Sequence, residues 1–291
     1  MDSSSIEIRP LASREELQAC VDLQHDTWGE AFSDAVPVSI LKVSQRVGGV
    51  AAGAFAPDGA LLGFVFGLTG VERGRIVHWS DMLAVRPEAR NLGLGRRLKE
   101  YQRYVVREMG GSVIYWTYDP LVARNAHLNF NRLGVRLAEY VEDMYGITDS
   151  LLHGGMPTDR IVVAWPTRDE EIAECLSTAE RALASADCRQ SPVVDDEWME
   201  RVSGAAILPH CIRVEAPLDA ESLFANAPDE ARRWRAAVRR GMQWGLSCGY
   251  AVTAFHIDEQ AHRGFYLMTK SARTSNQNGR SESPSRAHHP S

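Results

Sequence analysis

The stretch Asp81-Met82-Leu83-Ala84-Val85-Arg86-Pro87-Glu88-Ala89-Arg90-Asn91-Leu92-Gly93-Leu94-Gly95 decides the fold. An alternating apolar run leads into it, two glycines one residue apart sit within it, and an amphipathic run follows it. Gly93 and Gly95 let the backbone approach a ligand with no side chain in the way. Successive amides there, with the dipole of the following helix, form a place to hold an anion such as a phosphate.

Reading outward, Arg75 to Val85 alternates as a strand. A regular pleat would put Val77, Trp79, Asp81, Leu83 and Val85 on one face, with Ile76, His78, Ser80 and Met82 on the other. Leu94, Leu98, Tyr101, Val105 and Met109 recur at helical spacing, and Gly110-Gly111 ends that helix. Upstream, Ile6 to Leu11 reads as a strand. Ser13 and Glu16 then have the spacing of a capping box for a helix that runs to Gly29. Pro37 to Val47 predicts a second helix. Val50 to Phe55 and Leu61 to Leu68 predict strands joined at Pro57-Asp58-Gly59. Downstream come a strand over Val113 to Tyr118, stopped at Asp119-Pro120, and a helix over Ala123 to Leu133 ending at Gly134. Strands over Leu137 to Tyr145 and Arg160 to Trp165 close this part. The order predicts an α/β (α+β) fold: a mixed, mostly antiparallel central sheet with helices on both faces.

Past Pro166 the texture changes. Asp169 to Ala184 predicts an acidic amphipathic helix, and Cys188 to Glu197 reads as a polar linker. Ala206 to Val214, Tyr250 to Ile257 and Phe265 to Met268 predict strands. Pro228 to Leu246 predicts a long helix with Ala231, Trp234, Val238, Met242 and Gly245 on one stripe. The expected organisation is a first domain over 1–168, a helix and linker over 169–200, a smaller C-terminal α/β extension over 201–270, and a disordered tail over 271–291, which has almost no apolar residues.

The 291 residues are 44% hydrophobic and 24% charged, with a net charge of -6. That acidic balance argues against general nucleic-acid binding. Five cysteines, none in a CxxC pair, and a polar opening Met1-Asp2-Ser3-Ser4-Ser5 predict free thiols in a reduced, cytoplasmic setting. No spacing suggests a metal site, and no apolar run reaches membrane-spanning length.

The glycine turn alone leaves alternatives open. A dinucleotide fold also begins from GxG, but wants a third glycine where Leu98 stands and a parallel sheet of strand–helix repeats. A phosphate loop of the GK[ST] kind is excluded, because no such run exists. The plain alternative is a tight turn with no ligand.

Val85-Arg86-Pro87-Glu88-Ala89-Arg90-Asn91-Leu92-Gly93-Leu94-Gly95 resembles the Arg/Gln-x-x-Gly-x-Gly motif of the GNAT superfamily of acyl-CoA-dependent N-acyltransferases. The order of elements from Ile6 to Trp165 is similar too, so somewhat over half the chain is covered. The resemblance implies that Arg90, Asn91, Leu92, Gly93, Leu94, Gly95 and Arg96 surround the coenzyme A pyrophosphate. Leu83 and Val85 would offer main-chain hydrogen bonds to pantetheine, on a strand that splays from Val113–Tyr118. Tyr118 to Gly134 resembles the helix flanking the thiol end of the cofactor, where Asn125 and Asn129 either contact pantetheine or are simply solvated. Tyr145-Gly146 and Gly155-Met156-Pro157-Thr158-Asp159-Arg160 are similar to a subgroup of predicted acetyltransferases with amino-acid N-succinyltransferases among its relatives. Two positions depart from the family pattern. Phe130 stands where many members place a tyrosine acid, and Trp79 where many carry a glutamate base.

Transfer to an amine needs positioning, a base for the ammonium proton and a donor to the carbonyl oxygen. The catalytic candidates are Asp81 as base, Asp119 at the end of its strand, and Tyr145 as the missing acid. Each has a plain alternative: an ion-pair partner, a turn-forming aspartate and a packing aromatic. His78 reads as structural, and the Arg232, Arg233, Arg235, Arg239 and Arg240 cluster as a solvated face paired with acids such as Glu230. The expected function is acyl-CoA-dependent transfer of an acetyl or other short acyl group, such as succinyl, to a primary amine of a small molecule or amino acid. Acyl-CoA is the co-substrate and no metal is used. The expected partner is a small-molecule amine, with no nucleic acid and no membrane, and a homodimer is left open. The rival readings are a non-catalytic acyl-CoA sensor or scaffold and a nucleotide-dependent oxidoreductase.

Overall fold

A computed structural model describes residues 5–30, 32–146 and 157–270. The chain begins with β1 (Glu7–Pro10), then α1 (Arg14–Trp28) and α2 (Val38–Arg46). The capping box forms as its spacing predicts: the Ser13 hydroxyl accepts from the Glu16 amide, and the Glu16 carboxylate accepts from the Ser13 amide. Gly29, at φ 107°, stops α1 where a residue with a Cβ would be strained.

Next come β2 (Val50–Phe55), β3 (Leu61–Glu72), β4 (Arg75–Val85), α3 (Leu94–Glu108) and β5 (Val113–Tyr118). A short α4 (Ala123–Ala126) runs into a π-helical turn over His127–Leu133, and β6 (Arg136–Val141) and β7 (Arg160–Pro166) complete the sheet. The seven strands lie in the order β1-β2-β3-β4-β5-β7-β6. Only β4 and β5 pair in parallel; every other neighbour is antiparallel. α1 packs on one face through Leu17, Cys20 and Leu23 against Phe64, Phe66, Met82 and Ala84. α3 packs on the other through Leu94, Leu98 and Val106. The mixed, mostly antiparallel sheet with helices on both faces is as the sequence predicts.

The regular pleat expected for β4 does not hold. Phe66 faces Met82 but Gly67 faces Ser80, so Asp81 is an extra residue in a bulge. A bulge reverses side-chain parity along its strand. His78 and Ser80 therefore share the α3 side with Leu83 and Val85, as their bonds to Gln102 and Lys99 of α3 show. Val77 and Trp79 fall on the opposite face, contrary to the alternation.

The second unit comprises α5 (Asp169–Ala184), α6 (Ala186–Arg189), α7 (Asp196–Arg201), β8 (Cys211–Ala216), α8 (Ala220–Asn226), α9 (Pro228–Ser247), β9 (Tyr250–Asp258) and β10 (Arg263–Lys270). Its three strands pair in the order β8-β10-β9. The strand expected over Ala206 to Val214 starts later, at Cys211, and the one expected over Leu137 to Tyr145 ends early, at Val141. The stretch read as a linker carries the end of α6 and the start of α7, and Val193 bridges to Arg213 of β8. Cys188 and Cys211 form a disulfide across it, correcting the expectation that all five thiols are free. Cys20, Cys175 and Cys248 are free. The tail over 271–291 lies outside the described residues, as do Gly155 and Met156.

One apolar core runs through both units. Phe130 and Leu133 of the π turn share it with Phe255 of β9 and Tyr266 of β10. The Asn131 side chain accepts from the Phe255 amide at 2.9 Å and donates to its carbonyl at 2.7 Å, pairing the free edge of β9 as a further strand would.

Candidate active site

β4 and β5 stay together for a short distance only. Val77, His78 and Trp79 pair with Val113, Ile114 and Tyr115, and no pair follows. From Ser80 to Val85 the edge of β4 nearest β5 carries unpaired backbone groups, a run of roughly 20 Å at about 3.3 Å per residue. Buried backbone groups in folded proteins almost always find partners. An open strand edge leading into a wedge is a place for an extended ligand to supply them.

The turn before α3 lies at the wide end of this wedge. Asn91 and Gly93 both have left-handed backbone, at φ 66° and φ 70°, in the turn that leads into the first amides of α3. No side chain caps that terminus. A Cβ at Gly93 would meet nothing, and one at Gly95 would lie 3.7 Å from Leu83, so the turn is open above and seated on β4 below. Arg90, Asn91 and Arg96 are exposed, with Arg96 held by Glu100 at 2.8 Å. Leu94 is buried, while Leu92, Leu83 and Val85 pack against the core. The residues read from the sequence as the phosphate side are thus adjacent in the turn, some exposed and some packed on the core. These groups suit an anion followed by an extended amide-bearing arm, as in coenzyme A. Asn129 is buried and Asn125 half-buried on the facing helix, where the π turn widens the spacing beyond His127. Single π turns inside helices recur at functional sites.

The two sides of the wedge differ. On the α1–α2 side, Asp81 is open to solvent at the bulge. Partial desolvation, and then the nearby charge of Asp34, raise its carboxyl above the usual aspartate range. Thr117 of β5 lies on this side too, and its hydroxyl is 3.2 Å from the Tyr145 hydroxyl. Tyr145 is 47% exposed, and the Arg160 guanidinium sits 5.5 Å from its ring centre. Asp81 and Tyr145 are therefore both presented to solvent beside the wedge.

On the α3 side lies a buried polar row that hydrophobic periodicity misses. His78 is fully buried between Thr69 at 2.9 Å and Gln102 at 3.0 Å. Burial, with the charge of Lys99 adding, lowers its pKa to about 4, so it is neutral and structural. Lys99 is 7% exposed; its amine donates to the Ser80 hydroxyl at 2.7 Å and lies 3.8 Å from the Trp116 ring centre. A lysine within an amphipathic pattern reads as surface, and only the packing of α3 on the wedge puts it inside.

Asp119 has a structural occupation. Arg235 of α9 grips it with two bonds of 2.6 Å, Arg160 lies 3.6 Å away, and it accepts from the Leu121 amide at 2.9 Å. This matches the turn-forming reading and leaves it out of the proton-transfer set. The arginine cluster is not a solvated face throughout. Arg232 and Arg240 are on the surface with Asp229 and Asp196, but Arg235 is 3% exposed. Arg239 binds Asp159 and Glu142. Tyr140 adds a 2.7 Å bond to Asp159.

No protein-family model matches the chain, and no curated protein matches it. Among solved structures it is similar to an aminoglycoside 6'-acetyltransferase type Ii, at 20% identity over 56% of this chain and 97% of that one, with a TM-score of 0.44. It is similar to the ribosomal-protein-S18-alanine N-acetyltransferase from Escherichia coli, at 19% identity over 56% and 94%, with a TM-score of 0.43. It is also similar to an N-acetyltransferase from Staphylococcus aureus Mu50, at 16% identity over 56% and 99%, with a TM-score of 0.44. Among the described residues no helix is long and apolar enough to cross a membrane.

Proposed function

We propose that this protein is an acyl-CoA-dependent N-acyltransferase that moves a short acyl group directly to the primary amine of a small molecule or amino acid. The observation that carries this reading is the free edge of β4 from Ser80 to Val85, running from the uncapped turn of α3 into a wedge against β5. The turn from Arg90 to Arg96 takes the pyrophosphate, and the main chain of Leu83 and Val85 takes the pantetheine amides. An amine entering from the α1–α2 side attacks the thioester carbonyl. The C–N bond forms, the C–S bond breaks, and coenzyme A leaves as thiolate.

Asp81 takes the ammonium proton, directly or through water. Its raised pKa brings it nearer to that task than an ordinary carboxylate. Tyr145, oriented by Thr117, orders the amine or the water beside it. Phe130 is buried and has no proton to give, so the thiolate is protonated by another group or by solvent.

Thiol release from acetyl-CoA and succinyl-CoA with a panel of amines tests the reading, alongside thermal stabilisation by coenzyme A. Turnover with any primary amine supports it. Stabilisation by coenzyme A with no turnover would favour the sensor, and stabilisation by NAD alone would favour an oxidoreductase.

A further inference from the structure

We propose that the acceptor is a primary amine joined by a short linker to a flat apolar ring and carrying no carboxylate, and that Trp79, Tyr115 and Leu68 select it. This rests on the acyltransferase reading and names its acceptor class. Val77 and Trp79 of β4 pair with Val113 and Tyr115 of β5, and Leu68 of β3 pairs with Trp79. Residues paired directly across a ladder share a face of the sheet. Leu68, Trp79 and Tyr115 therefore lie side by side across three strands on the α1–α2 side, with Val77 and Val113 one step along.

The apolar cluster under α1 and α2 takes in Phe64, Phe66, Met82 and Ala84 and goes no further along β3 and β4. Among the described residues Leu68, Val77, Trp79, Val113 and Tyr115 join none of the core clusters. Leu68 is 45% exposed and the other four are half-buried. The opposite face of β5 is filled, with Ile114 and Trp116 buried in the core. A tryptophan and a tyrosine left at the surface beside a leucine mark a contact for an apolar group.

Position and charge choose the occupant. Trp79 and Tyr115 are the last parallel pair, and the gap between β4 and β5 opens at the next residues. A thioester in that gap has this floor beside it on the side from which the amine enters. Asp81 is two positions from Trp79 on β4, roughly 7 Å at about 3.3 Å per residue. An amine at Asp81 therefore reaches the floor with a ring about two carbons from its nitrogen. Asp81 has the charge of Asp34 nearby, and Glu72 accepts from the Tyr115 hydroxyl at 3.1 Å. Arg160, beside Tyr145, is answered by Asp119. Arg73 acts on Tyr115 from the β3–β4 turn, at the end away from Asp81. An ammonium thus meets opposite charge beside the wedge, a ring needs none, and a carboxylate on the acceptor would meet like charge.

The test measures kcat/KM for phenethylamine, ethylamine and phenylalanine with whichever acyl-CoA the full-length protein turns over, in the unaltered protein and in Trp79→Ala. The expected result is a preference for phenethylamine of about 10- to 100-fold over ethylamine and of about 10-fold or more over phenylalanine. The first ratio should fall about 10-fold or more in a Trp79→Ala protein that coenzyme A still stabilises. Equal or better use of ethylamine or phenylalanine by the unaltered protein would overturn the inference while leaving the acyltransferase reading standing, whether or not the variant folds. Turnover of some other primary amine with none of phenethylamine would do the same. An unchanged ratio in the folded variant, or a dimer in solution that Trp79→Ala dissociates, would overturn it as well, the dimer giving this face to a second copy. No turnover with any amine would overturn the functional reading and the inference with it.

Discussion

The joint between the two units and the β4–β5 wedge both bury cationic side chains, and they treat them in opposite ways. At the joint every one has its counter-charge: Arg235 with Asp119, Arg160 beside the same carboxylate, and Arg239 with Asp159 and Glu142. At the wedge Lys99 is buried too, and among the described residues it has a hydroxyl and an aromatic face but no carboxylate. A structural contact satisfies its charges when the chain folds. At the wedge no carboxylate among the described residues does so, and burial lowers the amine's pKa instead.

The contrast predicts unequal responses to substitution. Arg235→Met leaves Asp119 nearly buried beside one remaining arginine and should cost about 3–5 kcal/mol in urea unfolding. A loss below about 1 kcal/mol would remove the distinction between the two regions. Asp81→Asn, on the open side of the wedge, should lower kcat by about 100-fold or more while coenzyme A affinity holds. Because the Asp81 pKa is raised, the acid limb of the rate profile should lie above the usual aspartate range and vanish in the variant. Unchanged turnover across the pH range would take Asp81 out of the mechanism.

Lys99→Met should behave oppositely to Arg235→Met and stabilise the protein at pH 7, by about 1 kcal/mol or more. The folded-state pKa of Lys99 is lowered, so between that value and about 10.4 the unfolded chain binds the extra proton. The penalty is full below the folded value, shrinks as pH rises towards about 10.4 and is gone above it, so urea midpoints of variant and parent should converge near about pH 10–11. The smallest effect belongs to Glu16→Gln in the capping box, about 1 kcal/mol at neutral pH. The Arg9 bond first, then the Ala12 and Ser13 amides, hold the Glu16 carboxyl at about 2, so its contribution is present above about pH 4–5 and lost as pH falls towards 2. A thermal melt of Glu16→Gln at pH 7 and pH 2 that shows equal losses would contradict this.

The turn proposed to take the pyrophosphate was legible as a turn in the sequence because it is made of backbone. Gly93 and Gly95 announce a turn without side chains, and the helix behind it announces itself by spacing alone. The geometry around the proposed reacting groups was legible only in part. Asp81 and Tyr145 were named as candidates, yet alternation put Asp81 on the wrong face, because nothing in Trp79-Ser80-Asp81-Met82 marks the extra residue of a bulge. That extra residue is a matter of how β4 registers on β3.

The sequence by itself determined the order of strands and helices, the capping box at Ser13 and Glu16 and the glycine turn at 93–95. Each depends on residues within a few positions of one another, which local periodicity and backbone preference record. Only the tertiary structure decided that Arg235 is interior and Arg239 half-buried on two carboxylates while Arg232 and Arg240 are on the surface. It alone decided that Asn131 closes the edge of β9, and that Lys99 lies uncompensated at the point of the wedge. Those depend on partners over 60 residues away, or on the gap between two strands, and a charged side chain carries no local mark of whether water or protein will surround it.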